Sequence, residues 1–163
     1  MAKKSAGGTP ALSLLNRVGV EHTVSTYEHD PAATNFGMEA AQALGLDPAT
    51  VFKTLLALVD DGPVVAIVPV SGMLDLKALA AARGGKKARM MEVPVAERLT
   101  GYVVGGISPL GQRTVSPTVL DASAMEHPAI YVSGGRRGLD IGLAPADLVA
   151  LISADVAKIV VHT

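Results

Sequence analysis

Two apolar runs on either side of a short turn-forming segment constrain this chain more than any other feature. Residues 51–59 read Val-Phe-Lys-Thr-Leu-Leu-Ala-Leu-Val, residues 64–68 read Val-Val-Ala-Ile-Val, and Asp60-Asp61-Gly62 lies between them. Short aliphatic and β-branched runs on either side of such a turn predict a β-hairpin. The second run is apolar throughout, which argues for a central strand with both faces covered. The first run carries one exception. Alternate side chains of a strand share a face, so Lys53 stands in a row with Val51, Leu55, Ala57 and Val59. An unpaired ammonium in that company is expensive to bury. Three fates are open to it: a carboxylate partner, escape of the amine to water at the start of the strand, or service to an anionic ligand.

Around this hairpin the elements are short and clearly punctuated. Thr9-Pro10 predicts an N-cap and first turn for a helix through Leu15, ended by Gly19. Residues 20–27 mix β-branched with polar side chains and predict a strand. Asn35-Phe36-Gly37 leads into a helix over 38–44, stopped at Gly45, and Asp47-Pro48 starts a turn. Asp75 is placed to cap an Ala-rich helix over 76–82, which Gly84-Gly85 ends. Pro94 opens a helix through Leu99, stopped by Gly101. Residues 101–118 hold four glycines and two prolines and read as loop. Strands are expected over 129–133 and 139–143 around a turn, a helix from Pro145 to Ile152, and a closing strand over 156–161. Strands and helices mix without a strict βαβ rhythm. The expectation is an α+β fold: a single compact domain over 9–163 with a mixed, largely antiparallel sheet flanked by short helices, after a disordered tail over 1–8.

Composition narrows the chemistry. The chain is 49% hydrophobic but only 3% aromatic, so its core must be built mainly of Ala, Val, Leu and Ile. No apolar run approaches the ~20 residues of a membrane span, and the first eight residues lack the apolar stretch of an export signal. A cytoplasmic protein with no membrane partner is expected. Cysteine is absent, which removes disulfides and thiolate nucleophiles. The formal net charge of −1 argues against a protein that grips long stretches of nucleic acid, so any such contact should be local. The densest basic stretch is Arg83-Gly84-Gly85-Lys86-Lys87-Ala88-Arg89, followed by Arg136-Arg137; each reads as solvated surface or as a binding patch. His22, His29, His127 and His162 show no metal-ligand spacing, so no metal is expected. The segment Gly106-Ile107-Ser108-Pro109-Leu110-Gly111 fails as a nucleophile elbow because Leu110 stands where glycine is needed. No phosphate-binding or dinucleotide glycine motif is present, and no cofactor is expected.

What remains is a loop and a cation. Residues 103–109 bare the backbone at Gly105-Gly106 and then fix it with Pro109. Exposed amides there could hold a carbonyl oxygen or a developing oxyanion. A tight crossover or bulge would need the same glycines.

Three segments carry a resemblance: Phe52-Lys53-Thr54, the glycine-rich run over 100–111, and Tyr131-Val132-Ser133-Gly134-Gly135-Arg136-Arg137-Gly138-Leu139. In this order, from about residue 9 onward, the chain resembles the YbaK/EbsC family, related to the editing domain inserted in bacterial prolyl-tRNA synthetases. Within that family it is most similar to the free-standing Cys-tRNA(Pro) deacylases. The resemblance implies hydrolysis of the ester joining a wrong amino acid to the terminal adenosine of tRNA(Pro). It implies the tRNA(Pro) acceptor end as partner, with prolyl-tRNA synthetase as a possible second one. Editing of this kind is needed because a proline pocket rejects small apolar competitors by only ~1–3 kcal/mol.

By the same resemblance, Lys53 binds the terminal phosphate or ribose region, and the amides of Gly105 and Gly106 position the substrate carbonyl. Ile107, Ser108 and Pro109 belong to the same loop, and Tyr27, Asn35, Phe36, Ser133 and Asp140 fall where family members line the pocket. Tyr27 and Phe36 read equally as core aromatics, and Asp140 as an ordinary strand position. The chemistry implied is substrate-assisted, using the ribose 2′-hydroxyl or the thiol of a cysteinyl substrate. Rival readings are an Ala-tRNA(Pro) or broader deacylase, and a non-catalytic module that holds an acceptor end or a nucleotide.

Overall fold

The computed structural model describes residues 8–161. The expected tail, apart from Gly8, and His162 lie outside them. The chain forms helices α1 (Pro10–Val18), α2 (Phe36–Leu44), α3 (Leu76–Ala82), α4 (Val93–Thr100) and α5 (Pro145–Ile152). Its strands are β1 (Thr23–Thr26), β2 (Phe52–Val59), β3 (Gly62–Pro69), β4 (Ala88–Met90), β5 (Thr118–Asp121), β6 (Ile130–Ser133), β7 (Leu139–Leu143) and β8 (Asp155–Ala157). No helix among the described residues is long and apolar enough to cross a membrane.

The hairpin of β2 and β3 forms where the two apolar runs predict it. Val59 pairs with Gly62, and the two residues between them, Asp60 and Asp61, have φ of 48° and 70°. Both central residues left-handed is the signature of the turn that matches the right-handed twist of paired strands. β3 is central, as its unbroken hydrophobicity requires. It pairs antiparallel with β2 and parallel with β5 in a five-stranded sheet of order β4-β2-β3-β5-β8. The remaining strands make a separate antiparallel sheet of order β1-β7-β6. The fold is α+β with mixed and antiparallel pairing, divided between two sheets.

One contiguous core joins them. Leu12 and Leu15 of α1, Phe52 and Leu56 of β2, Ile67, Leu120, and Val132, Leu139 and Ile141 of the small sheet pack together. The opposite face of the large sheet buries Ala57, Val64, Ala66 and Val68 against Leu79 and Ala80 of α3. Aliphatic side chains thus dominate both layers, as the low aromatic content demands.

The departures from expectation have local causes. α2 starts at Phe36 rather than residue 38, because the Asn35 side chain accepts the Met38 amide at 3.1 Å and caps the helix there. β4 and β5 lie in stretches too short and too mixed in character to show a period. The closing strand expected over 156–161 is shorter. β8 ends at Ala157, and the buried Asp121 carboxylate then takes the Ile159 amide at 2.9 Å.

Candidate active site

The cleft originates in a fork between strands. Val51, just ahead of β2, and Tyr131 of β6 meet at a single parallel bridge, beyond which the two strands part. β3 occupies one edge of β2 along its whole length, whereas β4 occupies the other only from Ala57 to Val59. The edge at residues 52–55 is therefore left without a partner strand. A cleft of about 380 Å³ opens against it, walled by Asn35 and Phe36 of the α2 terminus, by the loop at Val104, Gly105 and Ile107, and by Tyr27, Ser133 and Asp140 from the small-sheet side. Tyr27, Phe36 and Phe52, three of the five aromatic residues, line it, so rings scarce in the core are concentrated at the cleft.

The glycine loop is built as a turn. The Gly106 amide donates to the Val103 carbonyl at 2.8 Å, and Gly105, at φ +88°, takes the third position that requires a left-handed residue. Both polar groups of Val104 are engaged: its amide donates to Glu97 Oε2 at 2.9 Å, and its carbonyl accepts from Arg137 Nε at 2.9 Å. The same Arg137 guanidinium lies 4.7 Å from the centre of the Phe36 ring. A Cβ on Gly105 would stand 2.8 Å from that ring and 2.9 Å from Arg137 Nε, so only glycine lets the three approach. Arg137 thereby clasps the loop to the lip formed by α2.

Eight of the eleven expected site residues line this one cleft: Lys53, Gly105, Tyr27, Asn35, Phe36, Ile107, Ser133 and Asp140. Gly106, Ser108 and Pro109 do not. The Gly106 amide is engaged with Val103, and a Cβ there would lie 2.6 Å from Arg136 Cα, so this glycine serves a close backbone crossing. Ser108 is fully buried and its hydroxyl accepts the Leu110 amide at 3.2 Å; Pro109 is buried beside it. The loop turns inward after Ile107 to pass under α1, where Gly111 comes against Pro10.

Lys53 is partly buried, and its row mates pack as alternation requires, with Leu55, Ala57 and Val59 on the α3 face. Burial alone lowers its pKa below the usual lysine range. The ion pairs among the described residues are His29–Glu39, Arg83–Asp155 and Arg89–Asp61, so Lys53 has no carboxylate partner there. Asp140, 5% exposed, is pushed up to about 7 by burial. The Tyr27 phenol is raised by burial and, next, by the charge of Asp140.

Two residues of the site were not assigned roles from the sequence. The Thr54 hydroxyl is the one buried side-chain oxygen or nitrogen without a hydrogen-bond partner among the described residues, and Thr54 lines the cleft. A hydroxyl beside Lys53 in a strand whose other side chains are apolar was the available signal. Arg137 was legible as half of a basic pair and as part of the 131–139 segment, but not in its role, because Val104, which it holds, lies 33 residues away.

A family model described as the aminoacyl-tRNA editing domain matches residues 29–151 of the chain. The chain belongs to this family. The matched segment of the editing domain contains every cleft-lining residue named above except Tyr27. A protein of Enterococcus faecalis (strain ATCC 700802 / V583), named "Putative Cys-tRNA(Pro)/Cys-tRNA(Cys) deacylase EbsC", is 37% identical over 161 residues, covering 96% of each chain. A crystal structure described as "a putative trans-editing enzyme for prolyl tRNA synthetase" superposes with a TM-score of 0.82 at 28% identity, over 94% of this chain and 96% of that one. The hypothetical protein APE2540 shares the fold, with a TM-score of 0.84 at 24% identity over 93% of this chain and 99% of the other.

The editing domain's cleft is equipped to orient and polarise rather than to attack. Among the described residues no histidine or cysteine lines it, and the single carboxyl group there belongs to Asp140. Its fixed assets are a cation with no carboxylate partner among the described residues, a turn with a glycine facing the cavity, and an open strand edge.

Proposed function

We propose that this editing domain hydrolyses the ester of mischarged tRNA(Pro), with Cys-tRNA(Pro) as its preferred substrate. The carrying observation is Lys53: a partly buried ammonium with no carboxylate partner among the described residues, in the same cleft as the Gly105 turn. A cation so placed suits the terminal phosphate or ribose of an acceptor end. The backbone at Gly105 and the open edge of β2 then bear on the ester carbonyl, while Tyr27, Asn35, Phe36, Ile107 and Ser133 shape the space around the aminoacyl group. The bond between the carbonyl carbon and the ribose oxygen breaks; water supplies hydroxyl to the acid and a proton to the ribose. With no histidine or cysteine at the cleft among the described residues, the substrate's own 2′-hydroxyl or thiol assists. Orientation and polarisation supply the protein's share of the rate. Prolyl-tRNA synthetase is the natural source of the mischarged tRNA, and the cytoplasm the place of action.

The test is deacylation of Cys-, Ala- and Pro-tRNA(Pro) by the wild type and by Lys53→Ala. The wild type should clear cysteine fastest and spare proline. Lys53→Ala should lose about 100-fold in kcat/KM, the scale for removing a positioned electrostatic group. A wild type that clears none of the three would sink the reading, and Lys53→Ala at full rate would sink the site.

A further inference from the structure

A second concavity, of about 570 Å³, is at the far end of β2 from the cleft. It gathers Lys77, Lys86, Lys87 and Arg89 around Asp60 and Asp61, four cations in a chain whose net charge is −1. Its lysines are set by a specific arrangement. The Asp60 carboxylate accepts the Lys86 amide at 3.1 Å and the Lys87 amide at 3.0 Å, which binds the loop after α3 onto the hairpin turn. A Cβ on Gly85 would lie 2.5 Å from Val59 Cγ1 and 3.0 Å from Asp60 Oδ2, so glycine permits that approach. Asp60 is thus engaged with main chain, while both lysine side chains are exposed. Asp61 meets Arg89 only at 3.5 Å, with both side chains mostly in solvent, a geometry that neutralises little.

The position matters as much as the charge. β4, which carries Arg89, pairs with the same edge of β2 that opens into the cleft nearer its start. From Lys53 to the end of β2 the strand advances about 20 Å at ~3.4 Å per residue. A strand of B-form DNA advances about 3.4 Å per nucleotide and A-form RNA no more than that, so the basic surface stands roughly six or more nucleotides from an adenosine held at Lys53. That is beyond the single-stranded CCA end and within the paired stem.

We infer that this basic surface docks the phosphodiester backbone of the acceptor stem while the 3′ end occupies the cleft. The identity of the RNA rests on the editing function proposed above; the phosphate-binding surface does not require hydrolysis. Its neutral surroundings keep the contact local, so binding is modest and salt-dependent.

The experiment is equilibrium binding of an uncharged acceptor-stem minihelix ending in CCA, and of a CCA-ended single strand without the stem. Both are measured against salt, for the wild type, for Lys77→Gln/Lys86→Gln/Lys87→Gln/Arg89→Gln, and for the control Arg17→Gln/Lys158→Gln. The four-fold variant should bind the minihelix at least ten times more weakly, with a shallower salt dependence, and bind the single strand as the wild type does. The control should match the wild type on both. Minihelix binding unchanged in the four-fold variant, or weakened equally in the control, overturns the proposal. A wild type that binds the minihelix through this surface yet leaves every charged tRNA intact would remove the deacylase reading and keep the docking surface.

Discussion

Asp140 lies between Leu139 and Ile141 on β7, 5% exposed and outside every ion pair among the described residues. Burial favours its neutral form, and its pKa rises from 3.8 to about 7. The consequence for stability has a definite sign. Below the unfolded-state pKa the folded carboxyl is neutral and carries no penalty; the penalty grows as pH rises and is complete above about 7. Asp140→Asn should therefore gain stability relative to the wild type as pH increases, by as much as about 4 kcal/mol between pH 4 and 8. Urea titrations at those two pH values check it, and a pH-independent difference would refute burial as the cause. Among the described residues the same group is the only carboxyl lining the cleft. If its ionised form faces the substrate, kcat/KM rises through pH 7 in the wild type and loses that inflection in Asp140→Asn.

The β2–β3 turn shows how an element can serve two ends. Asp60 and Asp61 both occupy left-handed conformations, where aspartate is tolerated and glycine preferred at the second position. Asp61→Gly should raise stability by about 0.5 kcal/mol, part of the cost of a left-handed non-glycine residue. Asp60→Gly relieves the same conformation but removes the acceptor for the Lys86 and Lys87 amides, and should lose about 1–2 kcal/mol. Chemical denaturation of the two variants should move in opposite directions. This turn was legible in advance because its chemistry is complete within four residues. The same holds for α3 and α5, whose caps and prolines mark their ends, and for Gly19, Gly45 and Gly101, each left-handed at a helix terminus. β4 offered no such signal: three residues, two of them exposed, whose one partner strand among the described residues is β2.

Ile141, fully buried, sits in the core shared by the two sheets. Ile141→Ala should cost about 2–5 kcal/mol, and because both sheets drain into one core, loss of secondary structure and of tyrosine environment should coincide in one unfolding transition. Two separated transitions would show the sheets to be independent. Local order was readable from the chain because helix caps, turns and strand alternation depend on neighbours a few positions away. Lys53 stood out on that ground alone, as the one charge in an apolar row. The family resemblance extended that reading to most of the cleft. The rest depended on contacts that residue order does not encode. The Thr9 hydroxyl meets the Gly134 carbonyl across 125 residues, and Arg137 meets Val104 across 33. Such meetings decide that Gly106, Ser108 and Pro109 turn away from the cleft, that the strands divide into two sheets, and that a run of surface lysines shares an edge with the cleft. Each follows from how separate segments compete for the same space and the same buried partners, which is a property of the packed chain.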